Sequence, residues 1–337
     1  MIPTGRFAPT PSGKLHLGNI LCAMLAYLSV RSKGGRFLLR IEDVDIPRCP
    51  RRLAQQAIDD LAWLGFTWEE EPLFQSDRGD VYADVLRHLA EGGHTYPCFC
   101  TRSQLMSLAA PNLGDTQVIY QRTCAHLTPE EAAQRALTRA PATRLRVPDE
   151  DISFVDGLFG PQTENLERDC GDFILRRSDG LYGYQLAVVV DDALQGVTEV
   201  VRGRDILSAT PRQLYLQRLL GYDTPEYFHI PLLVDHQGRR LAKRDKDLDL
   251  TALARRFTPE DILGMLAFSA GLIDAVRPTS LEMLLPLFDW QKVKRDDLRL
   301  PQCVMASKQP AAPPCTYSVH TEKSHPQGVT LLFAWCQ

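Results

Sequence analysis

The sequence predicts an α/β fold that presents a loop to a bound anion, and three observations carry the prediction. A loop rich in proline and glycine, Arg6 to Asn19, runs straight into a helix with apolar periodicity. An extended apolar run, Arg36 to Glu42, follows that helix after Gly34-Gly35. Beyond an irregular stretch at 93–140, extended and helical segments alternate again. A sheet with helices packed on it buries both kinds of segment.

In order, Leu21, Met24, Leu25 and Leu28 recur at i, i+3, i+4 and i+7 and define the first helix. A second amphipathic helix runs through Ile58, Leu61 and Leu64 to Gly65. Residues 1–92 thus form the first half of a core. Residues 93–140 read as an insertion, holding a cysteine cluster and then Thr128-Pro129-Glu130-Glu131, an N-cap and helix start. The second half of the core is expected over 141–250. There Tyr184 to Val190 reads as a buried strand, Thr210-Pro211 starts a helix ending at Leu220-Gly221, and His229 to Val234 is a short strand. Residues 251–301 are expected to be helical, through Ile262, Met265 and Leu266 and then Leu281 to Leu287. Residues 302–337, with Lys308 to Pro314 unable to continue a helix, read as a flexible tail without assigned function.

The 337 residues are 44% hydrophobic and 24% charged, which excludes wholesale disorder. No run of 18 apolar residues occurs, and the N-terminus lacks the order of a secretory signal, so a cytoplasmic protein with no membrane partner is expected. The net charge of −4 excludes a strongly basic nucleic-acid binder, so any RNA contact must be local. Residues 1–52 carry nine Lys/Arg against three acids, and 239–256 carry seven against three. Both surpluses coincide with loops suited to polyphosphate. In the first, glycines allow close backbone approach and a helix N-terminus offers N–H groups to anions. In the second, Gly238-Arg239-Arg240-Leu241-Ala242-Lys243-Arg244-Asp245, a glycine turn opens into a basic segment.

The string Arg6 to Asn19 as a whole resembles the first signature of class I aminoacyl-tRNA synthetases, with His16-Leu17-Gly18-Asn19 in place of HIGH. With Arg40-Ile41-Glu42-Asp43-Val44-Asp45 it is similar to the glutamyl branch, and Arg240 to Arg244 resembles the KMSKS element. The departures are Asn19 for His, Arg240 for the first Lys and Ala242 for Ser. The resemblance implies a Rossmann-type nucleotide-binding core with a zinc-binding insertion and a short C-terminal helical region, and no anticodon-binding domain. It implies ATP, with Mg²⁺, held by Pro9, Ser12, Gly13, His16, Gly18, Asn19, Arg240, Leu241 and Lys243, of which His16 and Lys243 act on the phosphates. It implies L-glutamate held by Arg6, Ala8, Thr10, Glu42, Tyr184 and Arg202, since arginine forks match carboxylates.

Cys98, Cys100 and Cys124, with Tyr120 and His126 nearby, are spaced as a metal knuckle. Zinc chemistry favours the three cysteines with His126. The resemblance implies Cys98, Cys100, Tyr120 and Cys124 around one structural Zn²⁺. Together with the segment Tyr184 to Tyr222 and the short chain, the knuckle resembles the glutamyl-queuosine tRNA(Asp) synthetases. That branch implies a monomer that transfers activated glutamate to queuosine at the first anticodon position of tRNA(Asp). The rival expectations are a truncated enzyme charging a tRNA 3′ end and a non-catalytic RNA-binding paralogue.

Overall fold

The computed structural model describes residues 2–101, 119–234 and 249–301, so Arg240, Leu241, Lys243 and the segment 302–337 lie outside the described residues. The strands, in chain order, are β1 (Thr4–Phe7), β2 (Arg36–Ile41), β3 (Leu73–Phe74), β4 (Thr95–Cys98), β5 (Ala142–Leu145), β6 (Asp151–Asp156), β7 (Gly160–Asn165), β8 (Phe173–Arg176), β9 (Glu199–Gly203), β10 (Glu226–Ile230), β11 (Leu233–Val234) and β12 (Leu298–Arg299). A seven-stranded sheet has the order β3-β2-β1-β9-β10-β6-β7. Its neighbours are parallel except for the β6–β7 hairpin. From β1 the chain passes through α1 (Leu17–Ser32) to β2 on one side, whereas β9 reaches the other side of β1 only at Glu199. Such a reversal leaves a crevice beyond the carboxyl ends of the two strands, where open α/β sheets bind ligands.

The helix α1 begins at that crevice, with Gly18 and Asn19 on its wall. Its N-cap is His16, whose Nδ1 accepts from the Gly18 N–H at 3.1 Å while Asn19 Oδ1 accepts from the His16 N–H at 3.2 Å. Leu21, Met24, Leu25 and Leu28 are buried as their period predicts, and so are Ala23, Tyr27 and Val30. The helix is therefore enclosed on most sides, by β1 and β2 and by the helices Pro259–Ala270 and Leu281–Leu284. The second helix, α2 (Arg51–Trp63), buries Ala57 and Leu61 on one face. The helix Thr210–Leu220 ends as expected at Gly221, in the left-handed conformation with φ of 66° that favours glycine. Leu281 to Leu287 forms one α turn followed by a 3₁₀ turn.

One element differs in type from the sequence reading. Tyr184 to Val190, expected as a strand, opens the helix Tyr184–Leu194. Its residues from Leu186 to Asp192 are all buried, so the segment shows no polar face and no helical period. Packing against the Thr210–Leu220 helix, α3 (Gly79–Glu91) and β8 outweighs the strand preference of three consecutive valines. Gly183 begins the helix, and a Cβ there would lie 2.5 Å from the Ile174 carbonyl oxygen, so only glycine admits this entry. Within the stretch expected as an insertion, β4 pairs antiparallel with β5, which pairs with β8, giving a separate three-stranded sheet that extends past residue 140.

Candidate active site

A cavity of about 430 Å³ occupies the crevice, a size suited to a small ligand. The first loop, β1, β9 and the start of the Tyr184–Leu194 helix form its walls. Of the expected residues, Arg6, Ala8, Pro9, Thr10, Gly13, His16, Gly18, Asn19, Glu42, Tyr184 and Arg202 line it. Ser12 does not; its N–H donates to the Thr10 carbonyl at 2.8 Å in the turn of the loop. Because His16 Nδ1 accepts a hydrogen bond, the ring carries its proton on Nε2 and acts there as a donor. Tyr184 is 39% exposed, reached by solvent through the cavity.

Both flanks of the second loop motif lie beside the first. β11 leads toward it and is clamped by parallel pairing with β12. Where the described chain resumes, the Leu250 N–H donates to the Leu15 carbonyl at 2.9 Å, and Asp249 Oδ2 is 3.6 Å from Lys14 Nζ. The described residue that follows the second motif, Asp249, is thus bridged to His16, and Leu250 to Leu15, beside the first motif.

The two arginines of the wall, Arg6 and Arg202, differ in their partners, and Arg6 shares its partner with Arg40, which is fully buried and not part of the lining. Arg6 and Arg40 share Asp192: Arg6 Nε donates to Oδ1 at 3.0 Å and Arg40 Nη1 to the same oxygen at 2.7 Å. Arg40 Nη2 also reaches Glu42 Oε1 at 3.4 Å. All four side chains are buried. Burial acts to raise the Asp192 pKa, but the two guanidiniums outweigh it and hold the carboxyl below its ordinary value. Glu42 goes the other way, its pKa raised by burial against the pull of Arg40 and Arg6.

Arg202, also buried, has no carboxylate hydrogen-bonded to it among the described residues. Nε donates to His229 Nε2 at 2.9 Å, Nη1 to Gln213 Oε1 at 2.7 Å and Nη2 to Thr210 Oγ1 at 2.8 Å. His229 Nδ1 in turn lies 2.6 Å from Asp156 Oδ2. The Arg202 contact needs a lone pair on Nε2, so Nδ1 carries the proton. Burial lowers the His229 pKa despite Asp156, which agrees with a neutral ring.

In the cysteine cluster, the Sγ atoms of Cys98, Cys100 and Cys124 lie within 4.8 Å of one another. Cys100 and Cys124 Sγ are 3.6 Å apart, and the Tyr120 hydroxyl is 3.5 Å from Cys98 Sγ and 3.7 Å from Cys100 Sγ. Metal–sulfur bonds of about 2.3 Å in a tetrahedron separate sulfurs by about 3.8 Å, so the donor set fits a tetrahedral ion. Arg144 Nε and the Phe99 N–H donate to Cys98 and Cys124 Sγ at 3.2 and 3.4 Å, as groups stabilising thiolates do. Burial acts to raise the Cys98 pKa, yet the bonds from Tyr120 and Arg144 bring it below the ordinary thiol value. His126 is exposed and outside the sulfur cluster. These cysteines could hold a metal ion.

Residues 4–265 match the family described as tRNA synthetases class I (E and Q), catalytic domain. The glutamyl-Q tRNA(Asp) synthetase of Symbiobacterium thermophilum is 47% identical over 315 residues, covering 90% of this chain and 97% of that protein. The chain belongs to the glutamyl-Q tRNA(Asp) synthetase family. The corresponding protein of Nitratidesulfovibrio vulgaris is 50% identical over 280 residues, covering 80% of this chain and 86% of its own. A crystal structure of glutamate tRNA ligase from Elizabethkingia meningosepticum, in complex with its amino acid, superposes with a TM-score of 0.78 at 26% identity, over 90% of this chain and 68% of that one. As a class I synthetase the chain is a ligase that uses ATP to join an amino acid to tRNA. No helix among the described residues is long and apolar enough to cross a membrane.

For this family member, sequence reasoning passed over Asp192, Asp156, His229, Gln213 and Thr210 as site residues. Arg40 was noted only within its motif. A usable signal is present: an arginine directly after the β-branched pair Val200-Val201 in an extended segment calls for partners where that segment is buried.

Proposed function

We propose that the protein activates L-glutamate with ATP and transfers the glutamyl group to queuosine at the first anticodon position of tRNA(Asp). The observation that carries the glutamate assignment is the cavity's charge pattern. Arg6 and Arg40 have their counter-charges in Asp192 and Glu42, whereas Arg202 is held by neutral acceptors and keeps its charge for a ligand. A guanidinium of this kind selects a side-chain carboxylate over an amide. In this reading Arg202 binds that carboxylate, Arg6 the α-carboxylate, and Glu42 and Tyr184 the amino end, with Ala8 and Thr10 on the wall.

An α-carboxylate oxygen of glutamate attacks the α-phosphorus of ATP and pyrophosphate leaves. A hydroxyl of the queuosine ring then attacks the acyl carbon and AMP leaves. The chain supplies position and charge. His16, a donor at Nε2, faces the phosphates together with Pro9, Gly13, Gly18 and Asn19. Ser12 shapes the loop, and Arg240, Leu241 and Lys243 complete the site from the second motif. Mg²⁺ accompanies ATP and supplies Lewis-acid charge to the phosphates when bound. Cys98, Cys100, Tyr120 and Cys124 hold a structural Zn²⁺, a role the 3.5–3.7 Å spacing of the Tyr120 oxygen from two sulfurs favours over His126. The body 1–92 with 141–250, the insertion 93–140 and the helical region 251–301 act as one cytoplasmic monomer.

The test is transfer of labelled glutamate to tRNA(Asp) with and without queuosine. Label on the queuosine-containing RNA alone is expected. Equal label on both, at the 3′ end, would instead make the protein a charging enzyme like the glutamate tRNA ligases it superposes on. Absence of ATP–pyrophosphate exchange would remove the adenylate reading altogether.

A further inference from the structure

Parallel pairing of β9 with β10 sets His229 opposite Arg202, and pairing of β10 with β6 sets Tyr227 opposite Asp156. Three adjacent strands therefore deliver Asp156, His229 and Arg202 to one buried line that ends at the cavity. Asp156 and His229 side chains are fully buried. The Asp156 carboxylate is saturated by donors: Oδ2 takes the His229 N–H at 3.0 Å and its Nδ1–H at 2.6 Å, and Oδ1 takes the Leu158 and Phe159 N–H groups at 3.1 and 2.9 Å. The ring of Tyr227 lies 6.2 Å from that of His229 at 13°, and the Arg202 guanidinium sits 5.0 Å from the Tyr227 centroid, so both planes are fixed by packing.

We propose that His229, oriented by Asp156, is a positioning residue for glutamate selection: it presents a neutral lone pair to Arg202 and thereby aims the guanidinium without neutralising it. This rests on the reading of Arg202 as the side-chain carboxylate fork. A carboxylate in direct contact with Arg202 would orient it equally well but would compete with the substrate for its charge, as Asp192 does for Arg6 and Arg40. Placing an imidazole between Asp156 and Arg202 keeps the order and moves the negative charge one ring away. The arrangement works in a single tautomer, because a proton on Nε2 would face the Arg202 Nε–H donor to donor. Asp156, accepting at Nδ1–H, enforces that tautomer.

Initial rates of ATP–pyrophosphate exchange, with glutamate and ATP varied separately, test the proposal in the wild type and in R202Q, H229L and H229Q. H229L removes the acceptor, and a rise of roughly 10–100-fold in the glutamate KM is expected, the scale of one charge-assisted hydrogen bond, with the ATP KM unchanged. H229Q keeps an acceptor near the Nε2 position and should restore the glutamate KM to near the wild-type value. Equal losses toward ATP and glutamate in H229L, or a glutamate KM in H229Q as high as in H229L, would overturn the proposal. R202Q separates the two levels: an unchanged glutamate KM there refutes the reading of Arg202 itself. A raised KM in R202Q with wild-type values in both His229 variants refutes only the positioning role. Should H229L not fold, the ¹⁵N shifts of the imidazole in the wild-type protein, assigned by their loss in H229Q, decide. A protonated Nδ1 and bare Nε2 at neutral pH are expected, and the opposite tautomer or an imidazolium overturns the proposal.

Discussion

The arginine wall of the cavity and the cysteine cluster are both buried polar centres, and they differ in where their counter-charge comes from. Around the wall residues Arg6 and Glu42, Asp192 and Arg40 complete a charge network within the chain itself. In the cluster, three thiols and a phenol converge with N–H donors behind the sulfurs, an arrangement suited to thiolates around a cation. The difference follows from use. A substrate site must keep its shape while its ligand comes and goes, so Arg6 and Arg40 are balanced internally and Arg202 alone of the three is held by neutral groups. A knuckle that ties Cys98 and Cys100 to Tyr120 and Cys124 across the intervening segment can make a resident ion part of the fold.

The largest effect expected from this contrast comes from breaking the internal balance. Asp192→Asn removes the acid paired with Arg6 and one of those paired with Arg40, and loss of one partner of a buried ion network costs about 3–5 kcal/mol. Urea denaturation of the variant should show that loss, and a loss below about 1 kcal/mol, the scale of an exposed pair, would mean the wall is not desolvated. Next in size is the cluster. Tyr120→Phe should weaken zinc binding at least about tenfold, since removing even an outer partner of a metal ligand costs about 10–100-fold, whereas His126→Ala should not alter it. Competition with a chromophoric chelator reads both, and the reverse ranking would restore His126 as the fourth ligand.

A smaller effect separates the thiols themselves. Cys22 lines the cavity, and burial pushes its pKa up to about 12, offset in part by Arg6. Its thiolate is therefore scarce at pH 8, and the thiolate is the form that alkylates. Mass spectrometry after iodoacetamide treatment at pH 8 should find Cys100 and its partners modified only once a chelator is present, with Cys22 spared in either case. Rapid labelling of Cys22 in the intact protein would show that the wall is more open than its burial implies.

How much of this was legible in the sequence follows the distance between interacting residues. The Pro/Gly loop, α1 and the Thr210–Leu220 helix could be read because each is a local pattern with its own cap or stop. The cavity residues from Arg6 to Asn19, with Glu42, could be read because they lie in strings specific to a family. Tyr184 and Arg202 are legible in the same way, although the sequence favours a strand where the fold makes the helix Tyr184–Leu194. A helix buried on every side has no period to display. His229 was read as the start of a strand and nothing more, since its task depends on the register of β10 between β9 and β6, and no local spacing encodes that pairing. The β6–β7 hairpin was missed as well, with Asp151, Ser153 and Val155 exposed between buried or half-buried neighbours.

Near Lys14 and Asp249, α2 offers a third kind of buried charge, one whose balance is incomplete, and it gives the smallest prediction. Asp60 on α2 has a buried Oδ2 with no hydrogen-bond partner among the described residues. Burial, with Asp59 and Asp249 adding to it and Lys14 opposing, raises its pKa from 3.8 to about 6. Between those two values the folded state binds more protons at this site than the unfolded state, so the contribution of Asp60 to stability falls as pH rises, and the deficit is complete above about pH 6. Asp60→Asn removes the titration. The variant should match the wild type near pH 4 and exceed it at pH 7.5, by about 1 kcal/mol once the half-exposed position is discounted for solvent screening. Denaturation midpoints at the two pH values measure the difference. A variant less stable than the wild type at pH 7.5 would mean that attraction between Asp60 and Lys14 outweighs burial, so that the carboxylate is part of the clasp between the two loop motifs and not a cost carried beside it.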